Sequence, residues 1–538
     1  MRMFSKLLLL CLAAQFLFFC KKKETSWDID GAFPIAKSHL NLTNFIGDSI
    51  FKADNTGLLH IAFTKKLLSY TMDSIAKLPD TTIKVNYISF FATSLAPNTT
   101  IYTNANSTTD KEITFNLSNG VELNKADVRT GNLIIDFKNT YTQPLRFQYE
   151  IVSASIWGNS LKIDEVIPAG STSNPTIISK TYSLNNYNIS FTGINQNKVN
   201  TLVQTYTIST DGSGASDNLL AGQGLVANMN FKKIVPEYIQ GYLGNQKLTQ
   251  ITDSQSLNLF SNFKPSNLSL TQAAINFRII NEFGVEITSS IKNLKSIKKT
   301  PYTVVNLNSG GMLQAININR AGKTNNASNP VFPFVKQINL NTNNSNINSF
   351  LENLPDLLGY TMNAELNPLG NISAGNDFAY YGHGLNVFAD VDIPMQLSSS
   401  SFYLQSYSSL NLANSEALTN VNTCDIILQA RNNYPFKAVL QGYLVNEQNV
   451  ITDSLFTASQ NLIQSALVDG NNTVLNYTDT QLTVSLDKNK IEKLKATKQI
   501  KFVIQLFLPN QPTPVKLTDT SYLDITLKAI VNYKVRIK

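Results

Sequence analysis

The clearest pattern along the chain is an alternation of apolar and polar residues at its C-terminal end. Between residues 523 and 537 every second position is apolar: Leu523, Ile525, Leu527, Ala529, Val531, Tyr533, Val535 and Ile537. A period of two over this length predicts one long strand with a buried face and a mostly solvated face. The sequence KFVIQLFLP at residues 501–509 predicts another strand, and we expect it to pair with the first.

Two short segments have the period of a helix instead. Residues 345–354 place Ile347, Phe350, Leu351 and Leu354 on one face directly before a proline, which predicts a helix that ends there. Residues 487–497 predict a second helix with Asp487 as its N-cap. We expect the lysines of this second helix to lie on its solvated face.

Most of the remaining chain consists of short alternating runs separated by turns rich in Asn, Gly, Ser and Pro. The composition agrees with this pattern, because 43% hydrophobic residues with 29 Phe and 21 Tyr are typical of a folded, strand-rich chain. A chain of 538 residues is also too long for a single ordinary core. We therefore expect a mainly β protein of tandem β-sandwich-like domains with a few short helices.

Two sets of similar segments, each with two members, indicate duplication. One set pairs IQGYLGNQKLTQITDS, which starts at Ile239, with LQGYLVNEQNVITDS, which starts at Leu440. The other pairs AKLPDTTIKVNYI, from Ala76, with ENLPDLLGYTMNA, from Glu352. The copies lie much farther apart than the period of about 20–50 residues that solenoids and propellers show. We interpret them as parts of duplicated β-domains.

A further set has three members: FKNTYTQPLRF from Phe137, FRIINEFGVEI from Phe277 and QARNNYPFKAV from Gln429. Each member combines a strand, an asparagine, an aromatic residue, a proline or glycine, and another strand. Asparagine side chains bond to their own backbone two residues on, so this pattern predicts a strand–turn–strand unit.

These patterns divide the chain into six consecutive segments. We expect a signal peptide at residues 1–19, a lipidated cysteine with a basic spacer at 20–26, and β-domains at 27–125, 126–235, 236–420 and 421–538. The two predicted helices fall in the third and fourth β-domains.

The N-terminal segment has the features of a secretion signal. Arg2 and Lys6 precede an apolar run at residues 7–19, which is shorter than the roughly 20 residues that span a bilayer. Small residues suited to an ordinary cleavage site are missing before Cys20. Cys11 is a second candidate for modification, and an uncleaved helix that holds both cysteines is the structural alternative.

Leu17, three residues before Cys20, resembles the corresponding leucine of bacterial lipoprotein signals, although Phe18 and Phe19 stand where that family has small residues. The resemblance implies that Cys20 is the lipid attachment site. Four stretches resemble large, uncharacterised outer-membrane lipoproteins of Bacteroidota: SWDIDGAFPIAKSHLNLTNFIGDSI, YIQGYLG, FRIINEFGV and NNYPFKAVLQGYLVNEQNVITDSLF. The strand–asparagine–aromatic unit is also similar to that of small β-sandwich domains related to late-embryogenesis proteins.

This resemblance implies a protein held at the outer membrane by its N-terminal lipid, and it leaves the face of that membrane undecided. Surface-exposed lipoproteins of that phylum usually carry acidic residues after the cysteine, whereas this chain has Lys21, Lys22 and Lys23 there. The tripeptides that begin at Asp48, Asp73, Asp80 and Asp453 resemble the O-glycosylation sequons of the same phylum.

Candidate chemistry is sparse. None of the three histidines, His39, His60 and His383, has another metal ligand at a helical spacing. His383 lies between two glycines and is a candidate for ligand contact, together with Trp27 and Trp157, whose rings can stack on sugars. Cys424 begins an apolar strand, and we expect it to be buried.

Two pairs of carboxylates share a strand face: Asp28 with Asp30, and Asp390 with Asp392. The second pair is a weak candidate for a calcium site or a glycosidase pair, although any solvated strand face produces this spacing. GDSI at residues 47–50 resembles the nucleophile block of a lipase family but lacks the later Asp-x-x-His that would activate the serine. We expect no cofactor.

The charge argues against a nucleic-acid partner, because +7 is spread over 538 residues without a basic face or a known motif. Our leading hypothesis is a non-catalytic, lipid-anchored outer-membrane protein that binds or scaffolds an envelope protein complex. The alternative is a glycan-binding surface lipoprotein of a nutrient-uptake system. A glycoside hydrolase is the least favoured hypothesis.

Overall fold

The computed structural model describes residues 25–42, 51–107, 110–257, 268–410, 421–456, 461–470, 472–508 and 514–537. The fold is mainly β, as predicted, with many antiparallel sheets and three short α-helices among these residues. Cys20, Asp48 and the GDSI segment lie outside the described residues.

The strands fall into three stretches of chain order. The first stretch contains β1 Thr25–Asn41, β2 Phe51–Ala53, β3 Leu59–Thr71, β4 Thr81–Ile88, β5 Thr93–Leu95, β6 Thr100–Thr103, β7 Glu112–Thr114, β8 Glu122–Asn139, β9 Leu145–Ile156, β10 Asn159–Ile167, β11 Thr176–Ser183, β12 Asn188–Ser190, β13 Thr201–Thr210, β14 Asp217–Leu219 and β15 Gly224–Tyr242. The second contains β16 Gln246–Ser256, β17 Leu268–Leu270, β18 Ala274–Asn281, β19 Ile287–Lys299, β20 Tyr302–Asn306, β21 Ile316–Ile318, β22 Gly322–Lys323, β23 Val331–Phe332, β24 Phe334–Asn341, β25 Leu357–Leu366, β26 Asp377–Tyr380 and β27 Gly384–Pro394. The third contains β28 Gln396–Ser409, β29 Val421–Asn432, β30 Lys437–Val445, β31 Ile451–Ser454, β32 Leu462–Ile463, β33 Leu467–Val468, β34 Val474–Asn476, β35 Thr478–Leu486, β36 Gln499–Leu508, β37 Val515–Lys516 and β38 Tyr522–Ile537.

The helices are α1 Met72–Ile75, α2 Ile347–Glu352 and α3 Lys488–Lys495, and a 3-10 turn covers Ser118–Gly120. Both predicted helices are confirmed. Asp487 caps α3 as expected, because its carboxylate accepts a hydrogen bond from the Lys490 N–H at 2.8 Å. Helix α1 was not predicted, since four residues are too few to show a period.

The strands form three copies of one eight-stranded, two-sheet unit. In the outer unit, the sheet β1-β38-β29-β35 faces the sheet β28-β36-β30-β31. In the middle unit, β3-β27-β18-β24 faces β16-β25-β19-β20. In the inner unit, β4-β15-β8-β11 continues through β12 into β6-β13-β9-β10. All of these pairings are antiparallel, and the strands of each unit follow one another in the same order.

The units are nested in the chain. The outer unit begins with β1 and resumes only at β28, and the middle unit lies between these strands. The middle unit in turn begins with β3 and resumes at β16, with the inner unit between them. The chain therefore closes the outer unit by pairing β1 with β38, from Thr25↔Ile537 to Asn41↔Tyr522.

This nesting differs from the consecutive segments that the sequence suggested. The expected boundary at 125/126 falls inside β8, and the one at 235/236 falls inside β15. Strand β38 is present as predicted, with Leu523, Ile525 and Leu527 fully buried. The expected pairing of residues 501–509 with it is wrong, however, because β36 lies in the opposite sheet and β38 pairs with β1 and β29.

The three-member repeat forms the same strand–turn–strand corner in each unit, which we call the asparagine corner. At the end of β29, the Asn432 side chain accepts a hydrogen bond from the Tyr434 N–H and donates to the Phe436 and Gln464 carbonyls, at 2.9, 2.8 and 2.8 Å. Asn139 and Asn281 bond in the same way to the backbone two residues on, four residues on and in a later loop. All three asparagines are fully buried. Each corner carries the chain from one side of its sandwich to the other.

The two-member repeats do not mark equivalent positions. The QGYL sequence near Ile239 ends β15, the last strand of the inner unit, whereas the one near Leu440 lies in β30 beside the asparagine corner of the outer unit. The LPD sequences both follow a helix but lead into non-equivalent strands, β4 and β25. Only the asparagine pattern therefore reports the duplication.

The chain passes from each unit into the unit nested within it at the end that carries the asparagine corner. Asn41, the last residue of β1, and Asn432 both lie at the start of β38. Tyr70 and Asn281 both face Leu385 in the middle unit. Thr25 and Ile537 thus lie at one end of the outer unit, and the middle and then the inner unit follow from the other end.

Short backbone contacts join consecutive units. Leu59 of the middle unit donates to the Leu517 carbonyl at 2.9 Å and accepts from the Met395 N–H at 2.8 Å. Between the middle and inner units, β26 extends the sheet of β15 through the pair Tyr238↔Tyr380. The Gln246 side chain also donates to the Ile75 carbonyl at 2.8 Å.

Candidate functional site

The residues singled out in the sequence lie in three different units. Trp27 is half exposed on β1 of the outer unit, His383 lies in the turn before β27 of the middle unit, and Trp157 lies in the β9–β10 turn of the inner unit. The structure therefore does not bring them together into one site.

His383 fastens a turn to the asparagine corner of the middle unit. Its Nδ1 lies 3.2 Å from Oε1 of Glu282, whose other oxygen accepts from the Gly384 N–H at 3.0 Å. Glu282 directly follows Asn281, so these contacts tie the start of β27 to the corner. His39 and His60 also face carboxylates, with Nδ1 2.6 Å from Asp524 and 2.7 Å from Asp392.

The weak metal candidates Asp390 and Asp392 share a face of β27, but each faces a different partner. Burial disfavours the charged form of Asp390, yet Arg278, at 3.0 Å, and Thr64 together hold the pKa of Asp390 below its usual value. Asp392 faces His60. Within the described ranges, no group of three or more His, Cys, Asp or Glu side chains could hold a metal ion.

Cys424 is buried in β29, as predicted, and burial raises the pKa of its thiol to about 11. Asp28 and Asp30 lie on β1, where Asp30 accepts a hydrogen bond from the Asn532 side chain at 2.8 Å.

A polar cavity of about 440 Å³ lies on the solvated face of the outer unit's first sheet. We call it the polar groove. Four adjacent strands build it in two rows of directly opposed residues. One row is Lys37–Thr526–Gln429–Gln481, and the other is His39–Asp524–Arg431–Asp479. All of these residues except His39 line the cavity.

In the second row, basic and acidic residue types alternate, and neighbouring side chains pair with one another. Arg431 bonds to both oxygens of Asp479, at 3.1 and 3.4 Å, and this bonding raises the pKa of the guanidinium. The Arg431 guanidinium also lies 4.1 Å from the centre of the Tyr477 ring, and the His39 ring stacks on Tyr522 at 5.5 Å. Tyr477 and Tyr522 also line an adjoining cavity of about 380 Å³.

The arrangement offers hydrogen bonds from a surface without net charge. Lys37 and Arg431 balance Asp479 and Asp524, while Gln429, Gln481 and Thr526 present amide and hydroxyl groups. Such a face suits a neutral, polyhydroxylated or amide-rich ligand. Both carboxylates lie beside other side chains, Asp479 beside Arg431 and Asp524 beside His39.

Sequence reasoning missed this groove because its residues come from strands up to about 500 positions apart. It also missed an exposed aromatic pair, Phe90 and Phe91, in the β4–β5 turn of the inner unit. A signal for the pair was present, since residues 85–109 contain no charged side chain around these two consecutive phenylalanines.

Among the described residues, no helix reaches the length and apolar character of a membrane span. Comparison with known proteins finds no matching family model and no matching curated protein. Solved structures give weak similarities. A "putative secreted protein" from Parabacteroides distasonis ATCC 8503 is 11% identical, with a TM-score of 0.27 over 54% of this chain and 89% of that one. The VP2 subviral particle of infectious bursal disease virus is 6% identical, with a TM-score of 0.09 over 92% of this chain and 86% of that one. At these TM-scores neither similarity carries an argument about this chain.

Proposed function

We propose that this chain is a non-catalytic, lipid-anchored protein of the outer membrane, whose stacked units hold binding surfaces away from the anchor. The nested strand order carries this proposal. It puts Thr25, five residues after Cys20, at the far end of the outer unit from the middle and inner units. With Cys20 acylated, the outer unit would stand next to the membrane and the inner unit farthest from it.

The test compares two cysteine variants of the full chain in its native cell type. In Cys20→Ser we expect loss of labelling by a fatty-acid probe and release from the membrane fraction. Cys11→Ser is the matched control, and we expect it to stay acylated and membrane-bound. Release of Cys11→Ser alone, or retention of both the fatty-acid label and membrane association in Cys20→Ser, would show that the anchor is assigned to the wrong residue or does not exist.

The scaffolding role has a separate test. If the chain is a scaffold, crosslinking in intact cells should couple it to one defined envelope complex. We expect this crosslinked product with the parent chain and not with Cys20→Ser. A fully anchored chain that crosslinks to no envelope component would contradict the scaffolding role while leaving the anchor in place.

The polar groove supports glycan binding as a second candidate function. Gln429 and Gln481 stand side by side on neighbouring strands, in the same row as Lys37 and next to the row of Arg431 and Asp479. Titration calorimetry with neutral oligosaccharides would detect binding, and we expect Gln429→Ala with Gln481→Ala to abolish it. Thr483→Ala lies one row farther along β35, outside the cavity, and serves as the control. Equal loss in both variants would contradict a site in the groove.

A further inference from the structure

The turn that joins β4 to β5 presents two aromatic rings to solvent. Phe90 is 91% exposed and Phe91 is 70% exposed, and Leu220 in the facing turn is 50% exposed. We call residues 89–92 and 220–223 the apical turns. They lie at the asparagine corner of the inner unit, beside the pairs Ile88↔Gly224 and Asn139↔Leu225, and hence at the end remote from Thr25.

A hydrogen-bonded frame holds these rings outward. The Ser89 N–H donates to the Gln223 carbonyl at 2.8 Å, and the Gly222 N–H donates to the Ser89 carbonyl at 2.9 Å. The Ser89 hydroxyl donates to the Phe91 carbonyl at 2.6 Å. Ser89 and Gln223 are themselves buried. The backbone that presents the rings is therefore already ordered, so that binding through them needs little further ordering.

The chain segments that carry the apical turns are almost free of charge, and on the neighbouring strand Lys138 lies opposite Val226. Residues 85–109 contain no charged residue, and residues 212–231 contain only Asp217. Asp217 accepts hydrogen bonds from the side chains of Thr142 and Gln143. Protein interfaces usually surround their anchors with a polar rim and charges that steer association. A convex, apolar and nearly uncharged apex instead suits a surface that deforms around it and excludes charge.

We propose that Phe90 and Phe91 insert into the boundary between headgroups and acyl chains of a lipid bilayer, so that the apex of the inner unit binds a lipid surface reversibly. Burial of each ring is worth about a ten- to hundredfold gain in partition. Two rings thus give weak binding, comparable to that of a single acyl chain. This inference stands apart from the anchor at Cys20. With both present, one chain would hold two lipid surfaces at its opposite ends.

The test uses the chain from residue 21 onward, which contains every described strand and lacks the signal segment. Its probe is vesicles of phosphatidylcholine without protein. With Trp27→Phe and Trp157→Phe as background, Phe90→Trp supplies a single fluorophore at the apex. We expect its emission to shift to the blue on mixing with vesicles and to be quenched by lipids brominated on their acyl chains.

Flotation of vesicles then measures how much the two rings contribute to the affinity for lipid. The double variant Phe90→Ser with Phe91→Ser should lose about a hundredfold or more in vesicle binding. Trp157→Ser removes an aromatic ring that is 95% exposed at another turn of the same unit, and it should bind like the parent chain. High salt should leave binding unchanged, because no charged group takes part.

Unshifted Phe90→Trp emission would overturn the proposal, and so would equal binding of the double variant and the parent. Binding only to vesicles that carry membrane proteins would assign the apex to a protein partner instead.

Discussion

The buried asparagine corners should each stabilise one unit, and Asn432→Ala tests this most sharply. The substitution removes three hydrogen bonds, to the Tyr434 N–H and to the Phe436 and Gln464 carbonyls, next to side chains that are essentially fully buried. At a net of about 0.5–1.5 kcal/mol for each of the three lost hydrogen bonds, the expected cost is about 1.5–4.5 kcal/mol. A loss of this size is a large part of the stability of an ordinary domain.

The neighbouring residue is a matched control. The Asn433 side chain makes one hydrogen bond, to the Thr520 carbonyl at 2.8 Å, in a more exposed position. We expect Asn433→Ala to cost about 1 kcal/mol or less.

Amide hydrogen exchange is the suitable assay, because a chain with several units need not unfold in one step. In Asn432→Ala, we expect protection to fall in β29, β30 and β38 and to persist in β18 and β8. Asn139→Ala and Asn281→Ala should lower protection in the inner and middle units, respectively. A cost for Asn432→Ala equal to that of Asn433→Ala would refute the structural role of the corner.

Three further predictions concern the outer unit. Removal of residues 521–538 should unfold the outer unit and leave the middle and inner units folded, since β38 lies between β1 and β29; unchanged exchange in β29 would contradict this. In the chain from residue 21, Cys424 is the single cysteine, and its thiol pKa is raised to about 11 from 9.0. Because the thiolate is the reactive form, alkylation at pH 8 should be slow until denaturant unfolds the unit, and rapid labelling of the folded chain would refute its burial. Asp487→Ala should destabilise α3 by about 1 kcal/mol through loss of the N-cap and lower the thermal midpoint. Lys488→Ala is the control and should have little effect on the midpoint, so equal effects would argue against capping.

Local patterns predicted local structure well. The period-two run before residue 537, the cap at Asp487 and the three strand–asparagine–aromatic segments all correspond to what the structure contains. Each of these signals arises from neighbouring residues, where backbone geometry and burial leave a direct imprint on the sequence.

Pairing between distant strands left no such imprint. Nothing local in β1 or β38 indicates that Trp27 lies opposite Val535, and the matching QGYL sequences pointed to an equivalence that the fold does not have. The polar groove depends entirely on this pairing, because its two rows exist only once four strands are in register. The exposed pair Phe90 and Phe91 could have been noticed, although a sequence does not show which apolar residues remain unburied.

Nesting of the three units is the central claim, and excision of the inner unit tests it most directly. Residues 81–242 would be replaced by a short glycine–serine linker in the chain from residue 21, and amide exchange would be measured across the remainder. We predict that β18 and β29 keep their protection, because the middle and outer units are complete without the excised segment. Loss of protection in β29 would contradict the nested architecture.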